Sequence, residues 1–114
     1  MILTLGISLT TTQPPIAVKH GLRRIGSDLA TWRRLRHLTA AQVADRAGVS
    51  RHTVMRIEGG AGASLESVLR VARALGVLDQ VTSALDPFAT DVGRLRSEEV
   101  LPQRVRQPRE DETT

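Results

Sequence analysis

The chain has no cysteine and no tyrosine, and only one tryptophan and one phenylalanine among its 114 residues. Without thiols, disulfides and thiolate metal sites are excluded, and a cytoplasmic setting is expected. With so few aromatics, any core has to be built from Leu, Val, Ile and Ala. No apolar run approaches the roughly 20 residues that a membrane-spanning helix needs. The opening stretch from Met1 to Pro15 starts apolar, but no cation precedes it, and Gly6 and Ser8 interrupt it, so a secretory signal is not expected. Signatures of enzymes are missing too. His20, His37 and His52 lack metal-ligand spacing and have no carboxylate cluster near them in sequence. The glycine-rich run Gly59 to Ser64 lacks the Gly-Lys-Ser/Thr ending of a phosphate loop and follows a helical segment instead of a strand. No serine sits in a Gly-x-Ser-x-Gly setting. No catalysis, metal or cofactor is expected.

What is present is charge, unevenly spread. The formal net charge is +4, yet residues 20–85 hold ten Arg against five acidic residues, whereas residues 86–114 hold five Arg against seven. The basic part is also the part with the best helical patterning. An excess of Arg there favours an acidic partner such as nucleic acid.

The chain reads as three regions: an N-terminal arm over 1–20, a helical domain over 21–85 and a C-terminal tail over 86–114. In the arm, Leu3, Leu5, Ile7 and Leu9 alternate with Thr4, Gly6, Ser8 and Thr10. Period two reads as a strand, which would need a mate from elsewhere. The alternative is an arm without structure, or residues added by an upstream start codon. In the tail, Pro102 and Pro108 break up scattered apolar residues, and an extended segment is expected, partly disordered or docked on a partner.

The central region predicts five helices. Leu22, Ile25, Leu29, Trp32 and Leu35 give the first, from about Gly21 to Arg36, an apolar stripe, with Arg23, Arg24, Arg34 and Arg36 outside it. Thr39 followed by Gln42 is a capping box for the second, and Leu38 with Val43 has the spacing of a hydrophobic staple. Gly48 ends that helix, and Ser50 caps the third, which Gly59-Gly60 closes. Ser64 caps a fourth, with an apolar stripe of Leu65, Val68, Leu69, Ala72 and Leu75 stopped by Gly76, and a short fifth covers Leu78 to Leu85. The fold class is therefore all-α, with a candidate strand before it and an extended tail after it.

The informative stretch is Leu38 to Gly60. It holds two short helices around the turn Gly48-Val49-Ser50, with Ala44 and Ala47 small enough for close helix approach, and Val43, Val49, Val54 and Ile57 turned inward. His52 and Arg56, four residues apart, share the outward face of the third helix, and Arg51 and Thr53 flank its start. A helix that is aliphatic inside and carries Arg, His and Thr outside suits a DNA major groove.

These residues resemble the helix-turn-helix of the Cro/phage-repressor (XRE) family: Ala44, the Gly48-Val49-Ser50 turn, Thr53-Val54 and Glu58-Gly59-Gly60 over a match of about residues 21–85. The resemblance implies a five-helix DNA-binding domain in which Ser50, Arg51, His52, Thr53 and Arg56 face double-stranded DNA. Arg51, His52 and Arg56 would read bases, and Ser50 and Thr53 would hold phosphate. The family often has Gln at the first residue of the second helix; Ala40 stands here, so Gln42 or Arg46 would replace that contact. The family pairs the glutamate at the end of the third helix with an arginine of the first, which implies a structural ion pair between Glu58 and Arg33. His37 occupies a turn position where the family often has Gly. The implied function is a transcriptional repressor that binds a palindromic operator as a homodimer. The layout also resembles HipB-like antitoxins, which repress their own operon and neutralise a kinase-like toxin. In that case Gly93 to Arg106 is the candidate toxin-docking segment. A third class, a protein-interaction domain using the third helix on protein, is separated from both by removing Arg51 and Arg56.

Overall fold

The computed structural model describes residues 12–100, which divide into one unit up to Gly76 and a second from Val77. The helices are α1 (Ile16–Leu35), α2 (Ala40–Ala47), α3 (Arg51–Glu58), α4 (Leu65–Leu75), α5 (Leu78–Ser83) and α6 (Asp91–Val100), with a 3-10 turn at Pro87–Ala89. No strand occurs among the described residues, and the all-α class holds. The candidate strand over residues 1–10 lies outside them.

Local signals place most boundaries. The Thr39 hydroxyl accepts from Gln42 N at 3.1 Å, while Gln42 Oε1 accepts from Thr39 N at 2.8 Å, so two otherwise orphaned amides at the start of α2 are satisfied together. Ser50 and Ser64 cap α3 and α4 in the same sense, each hydroxyl accepting from the amide three residues on. Gly48 (φ 72°) and Gly76 (φ 79°) end α2 and α4 in the left-handed conformation that glycine enters without a Cβ clash.

Three sequence expectations need correction. The first helix starts at Ile16 instead of Gly21: the Pro15 carbonyl accepts from Val18 N and Lys19 N, and a lone Gly21 inside a helix costs about 1 kcal/mol, too little to stop it. The buried side of α1 is centred on Gly26, Leu29 and Ala30, while Ile25 and Leu35 stay exposed. Likewise Val71 is buried in α4 and Leu65 is exposed. Finally, residues 86–100 are not extended. Asp86 accepts from Phe88 N at 2.9 Å, Thr90 Oγ1 accepts from Gly93 N at 3.0 Å, and Arg94 donates to Phe88 O at 2.9 Å. These short-range bonds wind the 3-10 turn and α6, whose polar composition hides the period.

The core of the first unit is aliphatic throughout. Leu29 and Ala30 of α1, Val43, Ala44 and Ala47 of α2, Val54 and Ile57 of α3, and Val71, Ala72 and Leu75 of α4 are buried, with no buried polar residue among those described. Full burial of a Val or Leu side chain contributes about 1.5–3 kcal/mol. Helix α2 packs on α3 and α4, and α1 packs on α3. Gly26 makes the last contact possible: a Cβ there would lie 2.1 Å from the Ile57 carbonyl oxygen. The C-terminal ends are tied by arginines. Arg36 Nε donates to Leu75 O at 2.9 Å with its guanidinium 5.1 Å from the centre of the Trp32 ring, and Arg70 Nη1 reaches Ala47 O at 3.3 Å. Arg36 is therefore a tie between α1 and α4, in addition to any charge it presents outside.

Candidate nucleic-acid interface

Helices α2 and α3 are joined by three residues. Gly48 N and Val49 N both donate to Ala44 O, at 2.9 and 3.1 Å, closing the end of α2 before the chain turns. Ser50 is extended, and its Oγ accepts from Thr53 N at 3.0 Å to open α3. Val54 and Ile57 anchor α3 from beneath, 0% and 4% exposed. Val49, expected inside, is half-buried. With its inner face held this way, α3 presents its other face to solvent.

Arg51, His52 and Arg56 are all exposed on α3, and Thr53 is half-buried. Ser50 Oγ and Thr53 Oγ1 lie 2.9 Å apart, so one hydroxyl donates to the other and the remaining O–H stays free to donate outward. Arg56 Nη2 donates to Ala61 O at 3.1 Å, which fixes the guanidinium over the loop after α3 and leaves its other N–H groups unspent. Gln42 and Arg46 lie one helical turn apart on α2, both exposed. The capping box uses the Gln42 carbonyl oxygen and leaves its NH2 group to donate. Among the described residues, no hydrogen bond joins Gln42 or Arg46 to the α3 group. Met55, which was not singled out in the sequence, is also half exposed on α3, between Arg51 and His52 in angle around the helix. An exposed Met flanked by basic residues is the signal that marks it.

Beneath this face, Arg33 of α1 holds Glu58 of α3 in a two-point bond: Nε to Oε2 at 2.7 Å and Nη2 to Oε1 at 3.1 Å. Its third nitrogen, Nη1, donates to Leu38 O at 3.0 Å, in the connection between α1 and α2. The side chains are 18% and 15% exposed. Hydrogen bonding to Glu58 raises the Arg33 pKa above its ordinary value, against the opposing effect of burial. The pair locks the end of α3 to α1 and spends the acidic charge of Glu58 inside the fold. His37, two residues past α1, has φ 58°, a left-handed conformation that turns the chain toward α2.

No helix of the described residues is long and apolar enough to cross a membrane. No curated protein and no solved structure matches the chain significantly. A family model described as a helix-turn-helix domain matches residues 24–85. That span is more than half of the chain and contains α2, the Gly48 turn and α3 whole. By this match, and by two short capped helices set around a left-handed glycine, the chain belongs to the helix-turn-helix domain family, a class of DNA-binding folds.

Proposed function

We propose that this chain is a sequence-specific transcriptional regulator that inserts α3 into the DNA major groove and represses by occluding its operator. The observation that carries this reading is the exposed row Arg51, His52 and Arg56 on a helix whose opposite side, Val54 and Ile57, is sealed in the core. Arg51 donates two hydrogen bonds to a guanine edge, worth about 1–3 kcal/mol of discrimination. His52 adds a further polar contact, and Met55 supplies apolar contact for a thymine methyl. Arg56, partly committed to Ala61 O, reads a base with its remaining N–H groups. The free hydroxyl of the Ser50–Thr53 pair and the Gln42 NH2 group donate to phosphate, and Arg46 adds charge. One helix of eight residues reaches only a few base pairs, so two copies on a palindrome with half-sites about one DNA turn apart are the working unit.

A gel shift against the upstream region of its own gene tests the reading. Arg51→Ala and Arg56→Ala should each weaken binding by about tenfold or more, about 1.4 kcal/mol. If neither does, the groove assignment is wrong and the protein-interaction class takes its place.

A second reading, a HipB-like antitoxin, is favoured by one observation. The unit from Val77 exposes Leu85, Phe88, Val92, Leu95 and Val100, apolar residues suited to docking a toxin. Co-purification of a kinase-like protein encoded beside it supports this reading; a chain that purifies alone and binds its operator fully counts against it.

A further inference from the structure

Helix α1 carries a cationic strip that the DNA reading above does not use. On the side of α1 that faces α3, Gly26 lies against the backbone of Ile57 and Glu58, and Arg33 pairs with Glu58. Steps of three and four residues toward the N-terminus lead from Gly26 to Arg23 and then Lys19, which continue the same side. Arg23 meets the loop that follows α3: a Cβ on Gly60 would lie 3.0 Å from Arg23 Cα. Lys19 is one turn further on. From the other side, Arg56 reaches Ala61, the next residue of that loop. Arg23 and Arg56 therefore meet at Gly60-Ala61 from two helices, with Lys19 one turn of α1 away from Arg23.

They are also free. Among the described residues, Arg24, Arg33, Arg70 and Arg94 have acidic partners in Asp28, Glu58, Glu66 and Asp91, whereas Lys19, Arg23 and Arg56 have none. Glu58, the acid at the end of α3, has both oxygens engaged by Arg33. Arg23 is exposed and Lys19 half-buried, so neither is sealed from a ligand. Both lie ahead of residue 24, where the family match begins.

We propose that Lys19 and Arg23 form a second anchoring site for the phosphate backbone of the duplex that α3 enters. The inference rests on the DNA reading and deepens it. The site supplies charge and no groove-facing donors, so it strengthens binding to every sequence and fixes how far α3 advances along the groove.

The test uses the full chain and two labelled duplexes, the region upstream of its own gene and a scrambled copy, titrated over a series of salt concentrations. Replacing both residues (Lys19→Ala with Arg23→Ala) should weaken binding to both duplexes equally. The slope of log affinity against log salt should become shallower by about 0.9 per lost contact. The charge-preserving pair Lys19→Arg with Arg23→Lys should keep the wild-type slope. If the alanine pair melts lower than wild type, Lys19→Gln with Arg23→Gln keeps the aliphatic stems and is read in its place. An unchanged slope overturns the proposal, and so does a changed preference between the two duplexes, which would mean base reading. A wild-type chain that binds neither duplex overturns the DNA reading itself and this site with it.

Discussion

Arg33 illustrates how one side chain can set the attitude of a whole helix, α3. Its guanidinium engages both oxygens of Glu58 and the Leu38 carbonyl, so three segments converge on one planar group. Lysine, with a point charge and no fixed fork, cannot reproduce that geometry. Glu58→Ala leaves a largely buried guanidinium without its carboxylate and should cost about 3 kcal/mol in urea denaturation; Arg33→Lys should recover only part of the loss of Arg33→Ala. The sign of the pH dependence follows from the raised Arg33 pKa. Protonation of Arg33 stabilises the fold fully below its ordinary value and the gain is lost only as pH rises through the raised one. The difference in stability between wild type and Arg33→Ala should therefore not shrink as pH is raised from neutral to about 11. Two backbone positions give opposite outcomes. His37→Gly removes the cost of a side chain at φ 58° and should stabilise by about 1 kcal/mol. Gly26→Ala forces a methyl against the Ile57 carbonyl and should destabilise by about 3 kcal/mol or more, measured by thermal melting.

Short helices depend on their ends. Helices α2 and α3 have eight residues each, below the length at which an isolated helix holds in water. Their capping side chains and their packing against α1 and α4 make up the difference. Thr39→Ala removes the hydroxyl that accepts from Gln42 N, leaves the backbone half of the capping box in place, and should cost about 1 kcal/mol. Ser50→Ala should cost a similar amount of stability, and it also removes the Thr53 hydroxyl's partner at the start of α3. Comparing DNA affinity of Ser50→Ala and Thr39→Ala, at equal loss of stability, separates a hydroxyl that touches phosphate from one that only caps. The cap residues were plain in the sequence because each acts within three residues of itself. The buried side of α1 was not, because Ile25 and Gly26 differ by one position and only contact with α3 selects Gly26. Helix α6 was hidden for a related reason: its start rests on Thr90 and on Gly93 lying against Pro87, contacts that leave no apolar period.

At the scale of the chain, the distribution of charge matters more than its sum. The net charge is +4, but the excess lies in residues 20–85, and the acidic balance lies after them. If the helix-turn-helix unit is the DNA-binding part, affinity should fall steeply with salt through release of counterions from the duplex. The fold it depends on is small and aliphatic. Leu75 is among the largest fully buried side chains, and Leu75→Ala should cost about 2–5 kcal/mol and reduce DNA binding only through loss of folded protein. At a temperature where that variant is still folded, its affinity should equal that of wild type.

The amino-acid sequence alone determined the all-helical class, the order of the first five helices and the turn between α2 and α3, since caps, left-handed glycines and apolar periods act over a few residues. It also marked Arg51, His52 and Arg56 as a shared face, because helical spacing is enough for that. The tertiary structure decided what depends on contacts between distant residues: the close seat of Gly26 on α3, the tie from Arg36 to Leu75, and the meeting of Arg23 with Gly60. No local pattern encodes these, because each joins residues more than twenty positions apart whose proximity exists only once the aliphatic core has closed.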